Sequence, residues 1–154
     1  MLRSDLQDAL KEAMRAKDSS GVATIRLIMA ALKDRDIAAR SKGQMEGISD
    51  DEILQMLQSM IKQRRESIQM YEQGGRLELA EREKAEIEWI SKFLPRQMTE
   101  DEAAAAVDSA IADLDASGLK DMGRVMAALR ERHAGQMDFG KASGIVKQKL
   151  QAAG

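Results

Sequence analysis

Apolar residues return every three or four positions along nearly the whole of this 154-residue chain, and a single proline, Pro95, interrupts them. That period matches one face of an α-helix, and no stretch alternates with the period of two that a half-buried strand requires. The chain is therefore predicted to be all-α. Its composition agrees: 44% of residues are hydrophobic, 32% charged and only 3% aromatic, with the unbranched helix formers dominant. Eleven methionines stand among very few aromatics. Such flexible side chains are expected chiefly to fill the core, and otherwise to offer an adaptable binding surface.

Seven helices follow from the spacing. The first covers 2–17, and Asp18, Ser19 and Ser20 break it. The second runs to about 41 with Val22, Ile25, Ile28, Met29, Leu32 and Ile37 on its buried side, and 42–48, with two glycines, reads as a loop. Ser49-Asp50-Asp51-Glu52 is a capping box that opens the third helix, which stops at Gly74-Gly75. The fourth runs over 77–94 and should pack on the third as an antiparallel hairpin, the shortest way to bury both apolar faces.

Beyond Pro95, Thr99-Glu100-Asp101-Glu102 is a second capping box, so 95–98 is the expected boundary. It divides an N-terminal four-helix domain over 1–94 from a small three-helix tail over 99–154. The tail helices are expected over 100–116, from 122 to near Gly135, and from Asp138 to 151. Gly123 and Gly144 within them read as points of close helix approach. With its short length and small side chains, the tail should be the less stable part.

Several function classes are excluded or disfavoured. The chain has no cysteine, which removes disulfides, thiolate nucleophiles and cysteine-bound metal. Charge appears too early at the N-terminus for a secretory signal, and no run of apolar residues is long enough to span a membrane. A cytoplasmic protein with no membrane partner is expected. His133 is the sole histidine and falls near the end of the sixth helix, where it reads as a cap or surface residue rather than a base or ligand. No nucleophile elbow, phosphate loop or zinc-binding spacing is present. No catalytic residue, metal or cofactor is assigned.

In the third helix, Leu57, Ile61 and Ile68 define an apolar stripe, and steps of about 100° put Arg64 in its middle. A guanidinium there needs an acceptor. Pairing the hairpin symmetrically about Gly74-Gly75 brings Glu86 opposite, with Glu83 as the alternative. Such an ion pair fixes helix register more often than it performs chemistry; the functional reading is an arginine presented to a phosphate or carboxylate.

Charge is unevenly spread although the net is only −2. Residues 97–117 hold six acidic and no basic residues, whereas 118–154 hold seven basic and three acidic ones. From this excess, Lys120, Arg124, Arg130, Arg132, Lys141 and Lys147 form a candidate contact set for RNA phosphates. Aromatic platforms for reading single-stranded bases are lacking, and a solvated basic face is the plainer reading.

Four ordered motifs carry a resemblance: Lys62-Gln63-Arg64-Arg65-Glu66-Ser67-Ile68, Gly74-Gly75-Arg76, Phe93-Leu94-Pro95-Arg96-Gln97 and Lys120-Asp121-Met122-Gly123-Arg124-Val125-Met126. Together they resemble the YqeY family, whose fold is shared with the C-terminal region of the B subunit of the aspartyl/glutamyl-tRNA amidotransferase. The resemblance implies four N-terminal helices followed by a tail whose counterpart recognises the tRNA body. It also implies tRNA as partner, beside an amidotransferase or aminoacyl-tRNA synthetase, and the family-level label of a carbon–nitrogen ligase with glutamine as amido donor. No residue of this chain supports independent ligase activity. The competing expectation is a helical protein–protein adaptor with no RNA role, gripping its partner through Met56, Met60 and Met70.

Overall fold

The computed structural model describes residues 1–153 and contains, in order, α1 (Leu2–Arg15), α2 (Ser19–Ser41), α3 (Asp50–Gln73), α4 (Leu77–Ser91), α5 (Glu100–Leu114), a 3₁₀ turn (Leu119–Asp121), α6 (Met122–Arg132) and α7 (Phe139–Ala153). No strand occurs among the described residues, so the all-α expectation holds. No helix among them is long and apolar enough to cross a membrane. Contacts divide the chain into two compact units, Met1–Leu94 and a second from Pro95 onward.

In the first unit, α1 and α2 are joined by Lys17 in the left-handed region (φ 56°) and by Asp18, whose carboxylate accepts from the Gly21 amide at 2.9 Å. That bond satisfies one of the free amides at the start of α2. At the start of α3, Ser49 and Glu52 form the reciprocal capping box. The α3–α4 turn closes at Gly75, where φ is +73° and a side chain would be strained. Leu6, Ile28, Leu32, Ile48, Ile53, Met56, Leu57, Met60, Ile61 and Ile90 interlock as the core. Burying each of these larger side chains contributes roughly 1.5–3 kcal/mol relative to exposure.

Three expectations for this unit are corrected. Ile37 is 54% exposed, and its neighbour Asp36 is buried instead, because the core stripe of α2 runs through Ile25, Ile28, Leu32 and Ala39, and Asp36 lies four residues after Leu32 on that stripe. Met56 and Met60 fill the core, while only Met70 of the three methionines assigned to a gripping surface is exposed. α4 ends at Ser91, and tighter turns carry the chain on, with the Phe93 amide donating to the Ile90 carbonyl at 3.1 Å.

In the second unit, α5, α6 and α7 close around Val107, Ala110, Val125, Met126, Leu129, Met137, Ala142, Val146 and Leu150. Thr99 and Glu102 cap α5 reciprocally. The segment after Pro95 is held to this unit: the Met98 amide donates to the Gln136 carbonyl at 2.8 Å, and the Gln97 side chain donates to the Gly135 carbonyl at 2.6 Å. α5 stops at Leu114 rather than at 116, because Asp115 turns left-handed (φ 50°). Gly123 and Gly144 mark no close approach, since a Cβ at either would meet open space. The glycine that does is Gly21, where a Cβ would lie 2.5 Å from the Trp89 ring of α4.

Candidate functional site

Arg64 projects from α3 toward α4 and is only 14% exposed. Its Nε donates to Glu86 Oε2 at 2.8 Å, its Nη1 donates to the Met60 carbonyl at 3.2 Å, and Glu83 Oε2 lies 3.9 Å from Nε. Two carboxylates therefore share one guanidinium at a mostly covered site. Burial, reinforced by the adjacent Glu86 charge, raises the Glu83 carboxyl above the ordinary glutamate range; Arg64 and Arg82 oppose that rise. The cluster joins the hairpin and leaves one carboxylate incompletely compensated.

A second cluster joins α1, α2 and the α2–α3 loop. Arg3 donates to both Asp36 oxygens, at 2.6 and 2.8 Å, and to the Ile48 carbonyl at 2.8 Å, while the Ile48 amide donates to Asp36 at 2.9 Å. The forked arginine matches a carboxylate in two parallel bonds, among the stronger polar contacts available. Its hydrogen bond to Arg3 is the main reason that Asp36 titrates below the ordinary aspartate range. Gly47 makes the packing possible: its φ is +85°, and a Cβ there would collide with the Asp36 carboxylate. An open cleft beside Arg3 is lined by residues 44–50, but the guanidinium is already engaged. The sequence signal for this cluster is an acid on a core stripe, the same signal that singles out Arg64.

The six tail cations do not share one stripe. On α6, Arg124 and Arg132 stand about 80° apart, and Arg130 about 120° from Arg124. Arg124 donates to Asp121 at 2.9 Å and to the Leu114 carbonyl at 3.3 Å, and Arg132 donates to Asp113 of α5 at 2.8 Å. Lys149, outside the candidate set, pairs with Asp108 of α5. The acidic helix is thus partly neutralised by the basic helices packed on it. The Ser117 amide, followed by Arg124, lowers the Asp121 carboxyl below its ordinary range.

Lys120, Arg130, Lys141 and Lys147 are exposed and form no salt bridge among the described residues, although the Lys120 charge adds a smaller push to the lowering of the Asp121 carboxyl. Arg130 sits over the Phe139 ring, 5.9 Å from its centre. His133 follows the last residue of α6 as its C-terminal cap, with its amide donating to the Leu129 carbonyl at 2.9 Å. No group of three or more histidines and carboxylates among the described residues is placed to hold a metal ion.

Among curated proteins, the chain is similar to three fungal proteins named "Altered inheritance of mitochondria protein 41, mitochondrial". It is 30% identical to that of Eremothecium gossypii, over 96% of this chain and 80% of the relative. The Lachancea thermotolerans protein is 32% identical over 72% of this chain and 56% of its own length, and the Candida glabrata protein 35% identical over 58% and 47%. The chain thus spans about half the length of two of these relatives. The relatives also overturn the expected cytoplasmic location, because they are named mitochondrial proteins. Absence of cysteine, on which that expectation partly rested, does not distinguish one reducing compartment from another. The family model described as Yqey-like protein matches residues 3–150, and on this match the chain belongs to the YqeY family.

Proposed function

We propose that the second unit binds the phosphate backbone of tRNA, and that the chain serves as an accessory in tRNA metabolism beside an amidotransferase or aminoacyl-tRNA synthetase. The observation that carries this reading is the set Lys120, Arg130, Lys141 and Lys147, all exposed and none in a salt bridge among the described residues, with only Lys120 feeling a nearby acid, Asp121. Arg124 and Arg132, tied to Asp121 and Asp113, drop to a supporting role. The likeness of the tail motif to the tRNA-handling region of the amidotransferase B subunit supplies the choice of RNA. Recognition would rest on phosphates and duplex shape, because the unit offers no row of aromatics for stacking bases. No amide-transfer chemistry is assigned to this chain.

The test is binding of the whole protein to bulk tRNA across a salt series, compared with a Lys120→Glu, Arg130→Glu, Lys141→Glu, Lys147→Glu variant. Binding should weaken steeply with salt and be lost in the variant, since each released counterion contributes to the slope. Binding that is absent at low salt, or unchanged in the variant, removes the RNA reading.

A further inference from the structure

α2 carries a second face that nothing in the first unit covers. Opposite its core stripe, Leu27 is 47% and Ile37 54% exposed. Together with exposed Ala30 and Asp34 they follow the alternating three- and four-residue steps of a coiled-coil seam. Asp34, the polar member, corresponds to the kind of seam position that fixes register in paired helices. Flanking this seam on one side are Arg26, Lys33 and Arg40 at intervals of seven residues, all exposed. They form a basic edge of about 21 Å at 1.5 Å per residue. None of the three forms a salt bridge among the described residues. Arg40 donates to the Met45 carbonyl at 3.2 Å and its charge helps to lower the Asp36 carboxyl, which leaves Arg26 and Lys33 as the cations of the edge that face no acid.

We infer that this outer face of α2 docks an amphipathic helix of a partner protein whose own seam is apolar and whose flanking positions are acidic. Flank charges select the partner in paired helices, and here the flank is uniformly basic. A second copy of this chain is a poor occupant. Antiparallel pairing would set Arg26, Lys33 and Arg40 against one another, and parallel pairing would set them against the Ala31 and Ala38 side. Nucleic acid would use the cations but gain nothing from Leu27 and Ile37. An acidic helix uses both. This surface lies in the first unit and is independent of the proposed tRNA contacts.

The experiment uses the full chain and two synthetic helical peptides of about three heptads with the same leucine–alanine seam, one flanked by glutamates and the other by lysines. Fluorescence anisotropy should show the glutamate peptide binding at least about tenfold tighter, a difference of about 1.4 kcal/mol. In an Arg26→Glu, Lys33→Glu, Arg40→Glu variant with an unchanged helical circular-dichroism spectrum, the preference should invert. Leu27→Asp should weaken binding of the preferred peptide to both proteins. Equal binding of the two peptides, or binding of neither, overturns the inference. So does a dimer in sedimentation that Leu27→Asp dissolves, which would name a second copy as occupant. Loss of tRNA binding in the charge-reversed variant without any peptide preference would make the face a nucleic-acid surface instead.

Discussion

Arg3 and Asp36 meet through two hydrogen bonds of 2.6 and 2.8 Å across 33 positions of sequence, and Asp36 closes the same link by accepting from the Ile48 amide at 2.9 Å. Three segments of the first unit are thereby joined at one carboxylate. Arg3→Met should lower stability by about 2–3 kcal/mol, less than the cost of breaking a fully buried pair because the arginine keeps some solvent. Since Asp36 titrates below its ordinary range when folded, its contribution is complete above the ordinary aspartate range and is lost as pH falls through the folded value. Urea unfolding of wild type and Asp36→Asn should show a gap at pH 7 that narrows toward pH 3; a gap that does not vary with pH would count against this linkage.

The two carboxylates at Arg64 should respond in opposite ways. Glu86→Gln removes the 2.8 Å charged bond and should cost about 1.5–3 kcal/mol at neutral pH. Glu83, whose folded carboxyl titrates above its ordinary range, is most favourable below the ordinary glutamate range, and that benefit is lost as pH rises through the folded value. Glu83→Gln should therefore leave neutral-pH stability unchanged or higher and flatten the stability profile on the acidic side of neutrality. Thermal melts of both variants from pH 4 to pH 8 read the difference.

Gly21→Ala sets two effects against each other. Alanine gains less than the about 0.5–1 kcal/mol of a helix interior, since Gly21 lies in the first turn of α2, whereas its Cβ would meet the Trp89 ring at 2.5 Å, and overpacking against a rigid ring costs about 1–3 kcal/mol. Net destabilisation is expected, and it should shrink when Trp89→Phe is added, as a double-mutant cycle would record. Gly144→Ala, whose Cβ enters open space inside α7, should instead stabilise by about 0.5–1 kcal/mol. Gly123→Ala should do the same by less, because it lies in the first turn of α6.

Arg132 and Lys149 are held by Asp113 and Asp108. If the second unit grips tRNA phosphates, Asp113→Asn and Asp108→Asn release these cations and should tighten binding at low salt. The logarithmic salt slope should steepen by about 0.7–0.9 for each phosphate newly contacted. Filter binding at several salt concentrations checks this, and weaker binding in both variants would mean that the ion pairs organise the surface rather than compete with it.

The helices were legible because the forces that define them are local. Apolar spacing marked each buried face, and the two capping boxes, Ser49 with Glu52 and Thr99 with Glu102, need only residues three apart. Ends were less legible where the signal was geometric rather than chemical, as at Asp115, whose left-handed turn stops α5. At the candidate site, the helical period singled out Arg64 and left Glu86 and Glu83 both in reach. Packing gives the short contact to Glu86 and leaves Glu83 at 3.9 Å.

By itself, then, the sequence determined the helical class, the places where helices begin and the faces they bury, since all of these follow from hydrogen bonds and contacts within one or two turns. Tertiary structure decided which charges are spent. Asp36 is buried only because Arg3 and Ile48 arrive from distant positions. Arg132 and Lys149 are engaged only because α6 and α7 lay them beside the acids of α5. Coulomb energy depends on separation in space, and residues far apart in sequence acquire that separation only when the helices pack.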